Sequence, residues 1–382
     1  MLDVVPARDS DTDFGPNCTG VELTTGIKQE PILTGPIRKG AAMQFASIKK
    51  ETVMLNPQKE MARQRIPSEI RIDPLTGRTA RICHFMDLKW KQPDFEALVA
   101  GTSAWCPFCA EKVLSVTPCF PPELIPEGRL QRGEMVIFPN IAPYDSIGAV
   151  ATFGSRHYIP MTDFTVPLMA DAFGFAVDFF RRIAAAGHPE AVYHIVNWNY
   201  MPPAGSSLIH PHLQVFSSST APNLMRQEIE ASKAYRDRHG STYWDDLVAA
   251  EQEAGDRYLG RIGRTHWMTA FAPMGVAGDV LAVVEAARCT LDLTTDDLTD
   301  IADGLARLMA AYDKMGIYSF NMNFFTAQWG DDHFRFHLLF SPRTFFSQQL
   351  GTPDVGALRN LFNETLCMAY PEEINIMLKD RF

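Results

Sequence analysis

The stretch from Asn199 to Gln214 reads NYMPPAGSSLIHPHLQ, and it decides how the rest of the chain is interpreted. On a β-strand successive side chains point to opposite faces, so His210, His212 and Gln214 are expected on one face. The preceding PPAGSS segment predicts a loop whose small residues let backbone N–H groups approach a phosphate closely. The stretch therefore predicts a strand that presents three polar side chains beside an anion-binding loop.

Two histidines followed by an amide suit the transfer of a nucleotidyl group. A neutral imidazole such as that of His212 can attack the α-phosphorus of a nucleotide and form a phosphoramidate, which divides one difficult displacement into two easier ones. The amide of Gln214 can donate hydrogen bonds to phosphoryl oxygens but supplies no proton that would activate water, so it favours transfer over hydrolysis. Taken alone, the HPH motif is also typical of two histidines that cap the edge of a sheet.

The composition argues against several classes of protein. The chain has 382 residues and a formal net charge of −10, whereas broad nucleic-acid binding requires a basic face. A few local cations would still suffice for a small nucleotide. No apolar run approaches the roughly 20 residues that span a bilayer, and the N-terminal MLDVVPARDSDTDFGPN lacks the features of a secretory signal. We therefore expect a cytoplasmic protein with neither a membrane nor a nucleic-acid polymer as partner.

The cysteines indicate metal binding rather than disulfides. Seven cysteines are an odd number in a long chain without an export signal, so a disulfide framework is not expected. Cys106 and Cys109 have the CxxC spacing of a metal knuckle, in the segment CPFC. The same spacing occurs in redox motifs, and a buried thiol pair without metal is a further alternative.

Two later segments share one order of elements, which predicts an internal duplication of about 130 residues per copy. The first copy runs from VIFPN at Val136 to HPHLQVFS, and the second from WMTAFAP at Trp267 to FRFHLLFS. Each contains a predicted helix, near residues 168–186 and 296–313, and Thr294 or Thr295 is expected to cap the second. Apolar residues recur at helical spacing in both, at Leu168, Ala172, Phe175, Phe179 and Ile183, and at Leu298, Ile301, Leu305, Leu308 and Tyr312.

The chain thus divides into three predicted parts. Residues 1–60 mix Pro, Gly, Thr and charged residues without periodicity, so we interpret them as an N-terminal extension that wraps the body or is partly disordered. Residues 61–235 form an N-terminal half with the CPFC and HPH motifs. Residues 236–382 form a C-terminal half.

The pattern Asn-x5-Gly-x-Ser-x2-His-Pro-His-x-Gln resembles the active-site signature of galactose-1-phosphate uridylyltransferases, a branch of the histidine-triad superfamily. Upstream, RIDPLTGR at Arg71 is similar to the family's Arg-x-Asn-Pro-Leu-x-Gly, and VIFPN at Val136 to its Phe-Pro-Asn segment. The resemblance covers residues 68–345. It implies an α+β, duplicated histidine-triad (HIT-like) fold with two antiparallel-sheet halves and helices packed on them.

The resemblance also implies roles for individual residues. His212 would be the nucleotidylated residue and Gln214 its phosphate-binding companion, with Ser207 beside them. The residues that would line the nucleotide or phosphate site are Asn140, Asn199, Gly205, Ser207 and Gln214. His157 stands where the family has a third metal ligand, so that a structural zinc would be bound by Cys106, Cys109, His157 and His210. Such a tetrahedral Cys2His2 set suits zinc, and it would hold the neighbouring His212 in register.

Several positions depart from the family pattern. Residues 197–201 read NWNYM where the family has Phe-Glu-Asn-Arg/Lys-Gly. The family's second copy often ends in His-x-His, part of an additional metal site. Here Arg335 stands in place of the first of these histidines before His337, and Asn323 stands where another is expected. Glu228 fits a carboxylate ligand, but Glu228 and His337 are only two ligands, so a full second metal site is not expected.

The acceptor is expected to differ from galactose 1-phosphate. Sugar-recognising members have a Lys-rich segment ending in Gly-Tyr-Glu about a dozen residues after the second-copy His, whereas here His337 is followed by LLFSPRTFFSQQLGTPDVG. The loss of hydrogen-bonding partners weakens discrimination of a hexose. Arg335 and Arg343 remain as cations for a phosphorylated or otherwise anionic acceptor, and Arg343 is alternatively a solvated surface arginine.

The sequence therefore predicts a nucleotidyltransferase that passes a nucleoside monophosphate, through a covalent intermediate on His212, to a small anionic acceptor. The partners would be a nucleotide or nucleotide sugar and that acceptor, in a homodimer, as is typical of the family. One alternative is a nucleotide phosphorylase or hydrolase of the same superfamily. Another is a zinc-stabilised nucleotide-binding protein without catalytic turnover.

Overall fold

Fourteen strands form two sheets in the computed structural model, which describes residues 43–83, 91–343 and 356–382. Of the predicted extension at residues 1–60, residues 1–42 lie outside the described residues, and a strand begins at Ser47 within the remainder. The strands are β1 (Ser47–Asn56), β2 (Ala62–Ile72), β3 (Thr79–Cys83), β4 (Leu130–Arg132), β5 (Met135–Pro139), β6 (Ile147–Thr152), β7 (Tyr193–Tyr200), β8 (His212–Ser218), β9 (Tyr258–Ile262), β10 (Thr265–Thr269), β11 (Val280–Val284), β12 (Ser319–Phe325), β13 (His337–Arg343) and β14 (Thr365–Cys367).

Eight α-helices connect or cover these strands within the described ranges. They are α1 (Phe95–Val99), α2 (Ala110–Val116), α3 (Val166–Ala185), α4 (Asn223–His239), α5 (Tyr243–Ala254), α6 (Thr295–Lys314), α7 (Ala357–Phe362) and α8 (Pro371–Leu378). In this part of the chain every helix is too short or too polar to cross a lipid bilayer.

The larger sheet has ten strands in the order β4-β5-β6-β8-β7-β12-β13-β11-β10-β9. The order reads the same from both edges once β4 to β8 are exchanged for β9 to β13. The two copies meet at the centre, where β7 and β12 pair antiparallel with Asn199 opposite Asn321. The duplicated α+β fold predicted from the sequence is confirmed, and its two half-sheets join into one continuous sheet.

Helices α3 and α6 occupy equivalent places in the two copies, and their ends follow from local chemistry. The Thr165 hydroxyl caps α3 by accepting from Leu168 N. Thr294 caps α6 in a capping box, in which Asp297 N donates to its hydroxyl and the Asp297 carboxylate accepts from Thr294 N. Apart from the half-buried Leu168, the two predicted apolar stripes are buried. Close packing continues onto the sheet, since a Cβ at Gly304 would meet the Trp267 ring at 2.0 Å.

The two faces of the large sheet differ in chemistry. Residues directly opposite in paired strands share a face, and the register places Asn197 opposite Gln214. The face that carries His212, Gln214, Asn197, Asn199, Asn321 and Asn323 is called the site face. The alternate residues, such as Trp198, Leu213 and Phe320, are fully buried in the same core cluster as residues of α3 and α6. The helices therefore cover one face and leave polar side chains on the other.

The RIDPLTGR segment has a structural explanation. It contains the turn between β2 and β3, in which the Asp73 carboxylate accepts from Thr76 N at 2.7 Å and Gly77 adopts a φ of 73°. Arg71 is 5 % exposed and forms two hydrogen bonds with the Glu372 carboxylate, at 3.0 and 2.8 Å. This pair joins the four-stranded sheet of β1, β2, β3 and β14 to α8.

Candidate active site and metal centre

His212 is the first residue of β8, and its ring nitrogens have different roles. Its Nδ1 lies 2.9 Å from the His210 carbonyl oxygen. Because a carbonyl only accepts, Nδ1 carries the proton and Nε2 of the neutral ring has the lone pair. Nε2 forms no hydrogen bond with the described residues, and His212 retains 8 % exposure. Burial lowers the pKa of His212 below its ordinary value, which favours the neutral ring.

The two other histidines of the predicted site have the opposite tautomer. His210 precedes the strand, in a bend, and its Nε2 donates to Gly154 O at 2.9 Å. The His157 Nε2 lies 2.8 Å from the Thr102 hydroxyl, which donates its own proton to Val99 O at 2.7 Å and so accepts from the ring. Both Nε2 atoms therefore carry a proton, and both Nδ1 atoms have a lone pair.

Those two Nδ1 atoms face the cysteines of the CPFC segment. The distances from Cys109 Sγ are 3.3 Å to His157 Nδ1 and 3.9 Å to His210 Nδ1. With Cys106 Sγ, the four ligand atoms all lie within 4.8 Å of one another. A tetrahedral ion with bonds of about 2.0 Å to nitrogen and about 2.3 Å to sulfur separates its ligand atoms by roughly 3.3–3.8 Å. The four side chains fit a metal ion, and sequence reasoning named all four.

The electrostatics of this cluster agree with its donor set. Burial lowers the pKa of His210 to about 4 and that of His157 below its ordinary value, so both rings are neutral, as metal ligands must be. Burial and the neighbouring Cys106 raise the pKa of the Cys109 thiol to about 11. A buried thiol of this kind ionises when a cation compensates the charge.

Phe108 joins the metal-type cluster to His212. It lies between the two cysteines of CPFC, and its ring contacts that of His212 edge-on, with centroids 5.2 Å apart and an interplanar angle of 73°. It also contacts His210 and Phe138. The knuckle therefore packs directly against the ring predicted to be the nucleophile.

The predicted phosphate-binding residues lie around the start of β8. Gly205 has a φ of 84°, a left-handed conformation that glycine adopts without strain, and it is exposed together with Ser207. Gln214 is half-buried, lies on the site face and forms no hydrogen bond with the described residues. Asn199 lies on the same face, one strand away in β7.

Asn140 follows β5 on the far side of this group. Its backbone N–H donates to Gly148 O at 2.9 Å, and its side-chain oxygen accepts from Ala142 N at 3.1 Å. The register places Gly148 opposite Phe216, which lies two residues after Gln214 and therefore on the same site face. Asn140 therefore borders the same face, with its carboxamide oxygen engaged in a local turn.

The sequence did not predict Asn321 or the pairing of the site-face amides, and Asn323 was noted only as standing where a histidine is expected. Asn321 Nδ2 donates to Asn199 Oδ1 at 2.6 Å, and Asn323 Nδ2 donates to Asn197 Oδ1 at 2.8 Å. The signal was present in the sequence, because N-x-N occurs in both NWN of β7 and NMN of β12, among otherwise apolar strand residues.

The second-copy residues that differ from the family pattern have other partners in the structure. His337 Nε2 lies 3.4 Å from Glu228 Oε2, and the imidazole stacks on the rings of Trp244 and Phe325. Arg335 forms a two-point ion pair with the Asp245 carboxylate, at 3.0 and 2.7 Å. Within the described residues, Cys106, Cys109, His157 and His210 are the sole metal-type group of three or more ligands.

Comparison with known proteins places this geometry in context. No family model matches the chain. An uncharacterised protein from Archaeoglobus fulgidus is 31% identical over 307 residues, which cover 80% of this chain and 89% of that protein.

Solved structures share the fold at low sequence identity. A GalT-like protein from Arabidopsis thaliana has a TM-score of 0.63 and 16% identity, and covers 81% of this chain and 98% of its own. An ADP-glucose phosphorylase from the same plant, with bound ADP-glucose, has a TM-score of 0.62 and 15% identity. The match covers 82% of this chain and 98% of that protein. A uridylyltransferase has a TM-score of 0.59 and 18% identity over 82% and 98%. The chain thus belongs to one family with the archaeal protein, and its fold is that of the GalT-like proteins of the histidine-triad superfamily.

Proposed function

We propose that the protein is a nucleotidyltransferase that works through a covalent intermediate on His212. The observation that carries the proposal is the hydrogen bond from His212 Nδ1 to His210 O, which leaves the lone pair on Nε2 of a neutral ring. A neutral imidazole of fixed tautomer is the form that attacks phosphorus. The GalT-like fold, shared with a uridylyltransferase and an ADP-glucose phosphorylase, supports this class of reaction.

The reaction would proceed in two displacements at the α-phosphorus. In the first, His212 Nε2 forms a bond to phosphorus, and the bond from phosphorus to the oxygen of the leaving group breaks. In the second, an oxygen of the acceptor forms a bond to phosphorus, and the nitrogen–phosphorus bond breaks. The electron pair of the broken bond returns to Nε2. Throughout, the proton on Nδ1 stays on the ring and remains hydrogen-bonded to His210 O.

The surrounding residues would bind the phosphoryl group and the nucleoside. Gln214 lies two residues beyond His212 on the same face and would donate its amide protons to phosphoryl oxygens. The exposed Ser207 would supply a hydroxyl to the same group, and the neighbouring Gly205, whose own N–H donates to Pro202 O at 2.9 Å, would leave room for it. Asn199, on the β7 side of β8, would line the phosphate or ribose site, and Asn140, on the other side, would face the nucleotide.

We propose zinc as the ion held by Cys106, Cys109, His157 and His210. Two thiolates with two imidazoles are a donor set that zinc prefers. The ion's contribution would be structural, because it would fix His210. That residue supplies the carbonyl oxygen that sets the tautomer of His212.

Intact-mass analysis tests the proposal. We expect the purified protein to gain one nucleotidyl group when incubated with one member of a panel of UDP-, ADP-, GDP- and CDP-sugars and free nucleotides. The adduct should map to His212 and be labile in acid and stable in alkali, as a phosphoramidate is. Rapid loss of the adduct in inorganic phosphate would favour a phosphorylase, and loss in water a hydrolase. Nucleotide binding without any adduct would favour the non-catalytic alternative.

The acceptor and the assembly belong to the same proposal. We propose an anionic acceptor other than galactose 1-phosphate, and exchange between UDP-glucose and galactose 1-phosphate at the rate of a metabolic enzyme would contradict it. We also propose that the protein forms a homodimer in the cytoplasm. Within each chain, we propose that the N-terminal half ends at residue 235. Light scattering of the purified protein tests the dimer.

A further inference from the structure

A cleft of about 520 Å³ opens on the site face, at the seam where the two copies meet. Its volume is in the range of small-molecule sites, which is about 300–1,000 Å³. Strands β7 and β12 form its floor, and β13, α7 and the start of α4 form its walls. The polar residues that matter here are Asn197, Asn199, Asn321, Asn323, Arg343 and Arg359.

The orientation of one amide in the floor is fixed by the backbone. Asn321 Nδ2 donates to Asn199 Oδ1 at 2.6 Å and to Ala204 O at 2.8 Å. Because a backbone carbonyl only accepts, the nitrogen of Asn321 must face Ala204, and both of its amide protons are used. Asn321 therefore offers an oxygen as its remaining group, while Asn199 offers N–H donors.

The second amide pair is oriented in the same direction. Asn323 Nδ2 donates to Asn197 Oδ1 at 2.8 Å, so Asn197 also offers N–H donors and Asn323 an oxygen. Asn197 lies directly opposite Gln214 in the strand register. The floor thus presents hydrogen-bond donors on the side of His212 and hydrogen-bond acceptors on the side of the second copy.

The far wall is positively charged. Of the described residues that line the cleft, two are arginines, Arg343 and Arg359, and none is acidic, although the chain as a whole has a net charge of −10. Both arginines are held by contacts with the protein, and Arg359 Nη1 donates to Met274 O at 3.1 Å. The first turn of α4 lines the same cleft through Leu224 and Met225, and a helix N-terminus carries partial positive charge.

The spacing of the strands sets the length of a ligand that would use both ends. Strand β13, which carries Arg343, lies three strands from β8, which carries His212. Three strand spacings are about 14 Å, and a long arginine side chain shortens the distance that a ligand must span. A body about the size of a hexose fits between the two ends.

We propose that the seam cleft is the acceptor subsite and that it takes a polyhydroxylated molecule with two anionic groups. The inference rests on the proposed function. One phosphate would lie beside His212, between the donors of Asn197 and Gln214, and one of its oxygens would attack the nucleotidyl phosphorus. Hydroxyl groups would donate to the oxygens of Asn321 and Asn323. The second anion, a phosphate or a carboxylate, would bind Arg343 and Arg359.

The test compares three probes that differ in the second anion. His212 is first labelled with whichever nucleotide donor reacts, and the label is then discharged with glucose 1-phosphate, glucose 1,6-bisphosphate or glucuronic acid 1-phosphate. We expect the two probes that carry a second anionic group to discharge the label at concentrations roughly ten- to a hundredfold lower than glucose 1-phosphate does. This is the range expected for one charge-assisted hydrogen bond. Equal efficiency of all three probes would overturn the proposal.

Variants locate the effect in the cleft. Arg343→Met and Arg359→Met should each remove the preference for the second anion, and Arg343→Lys should restore part of it. Arg261→Met, at an exposed arginine of the second copy paired with Glu285, is the matched control and should keep the preference. A preference that survives both cleft substitutions would contradict the assignment.

Binding provides a readout that does not depend on turnover. Calorimetric titration with glucose 1,6-bisphosphate should show binding to the wild-type protein that weakens at least about tenfold in Arg343→Met. Binding that is lost in this way without any labelling of His212 would support the subsite and contradict the proposed reaction. Labelling of His212 with no arginine-dependent binding would do the reverse.

Discussion

The two copies hold equivalent histidines in the same backbone geometry and surround them differently. His212 and His337 each begin the equivalent strand, and each donates from Nδ1 to the carbonyl oxygen two residues before it, at 2.9 and 3.1 Å. In the first copy that preceding residue, His210, belongs to the metal-type cluster. In the second copy it is Arg335, which forms an ion pair with Asp245. The duplication therefore preserves the tautomer but not the chemistry around it.

The side chain of His337 is enclosed more completely than that of His212. Nε2 of His337 faces the Glu228 carboxyl group, while two aromatic rings stack on the imidazole. The cavity beside it measures about 80 Å³. Leu339 stands where the first copy has Gln214, so no amide follows His337 on its strand. The two copies therefore differ in what surrounds the equivalent histidine: an amide two residues further along the strand in the first copy, and stacked aromatic rings with a carboxyl group in the second.

The largest expected effect separates the two histidines. His212→Ala should reduce nucleotide labelling by roughly a thousandfold or more, because it removes the atom that bonds to phosphorus. His337→Ala should leave the labelling of folded protein unchanged and lower the free energy of unfolding by about 2–4 kcal/mol, because the ring is packed between aromatics. Rapid-quench labelling and urea unfolding of both variants measure the two effects. Comparable labelling by His212→Ala and wild type would remove the double-displacement mechanism.

The metal cluster belongs to the first copy alone among the described residues, and its loss should lower the stability of the protein. Cys109→Ser should lose the bound metal and lower the free energy of unfolding by roughly 4 kcal/mol, since loss of a metal is among the largest single-residue effects. Elemental analysis should find about one zinc per wild-type chain, the expectation for one Cys2His2 site. Cys119→Ser, at an exposed cysteine of the same half, is the control and should change neither quantity. Fully folded, metal-free wild-type protein would rule out a structural zinc.

Replacing Gln214 with the residue of the second copy tests the phosphate-binding role. Gln214→Leu should slow labelling on the order of a hundredfold, as the loss of a donor to a developing oxyanion does, with little effect on stability. Gln131→Leu, at an exposed glutamine of β4, serves as the matched control. Gln214→His should raise the rate at which water removes the label, because imidazole can exchange a proton. Unchanged labelling by Gln214→Leu would argue that the amide does not contact the phosphoryl group.

The smallest effect concerns pH and the second copy. Burial raises the pKa of the Glu228 carboxyl above its ordinary 4.5, although the neighbouring His337 ring opposes the rise. The unfolded chain then releases this proton at lower pH than the folded chain, so the free energy of unfolding falls as pH rises above 4.5. Glu228→Gln cannot ionise, and its amide still reaches His337.

We expect Glu228→Gln to match the wild type near pH 4 and to exceed its stability by about 1 kcal/mol at pH 7, the scale of one buried hydrogen bond. Urea unfolding across this pH range measures the difference. Glu230→Gln, on the exposed side of the same helix, should follow the wild-type curve. Parallel curves for Glu228→Gln and wild type would show that the pKa of Glu228 is the same in the folded and the unfolded chain.

The sequence by itself determined the repeated fold and the metal-type cluster. The helix stripes, the cap at Thr294 and the order of elements along each copy follow from local patterns, which the chain encodes twice. Cys106, Cys109, His157 and His210 were identified by residue type and by resemblance to a known pattern. Thr102, which sets the tautomer of His157, had no such signal, because its role depends on a contact across 55 residues of sequence.

Only the tertiary structure decided what occupies the seam. Asn199 and Asn321 are 122 residues apart, and their contact exists because the two half-sheets pair through β7 and β12. Arg335 and Arg343, which the sequence offered together as cations for the acceptor, also differ in place. Arg335 is bound to Asp245, whereas Arg343 lines the cleft. Local propensity determines each strand, but the register between distant strands determines which side chains share a face, and a ligand site depends on the shared face.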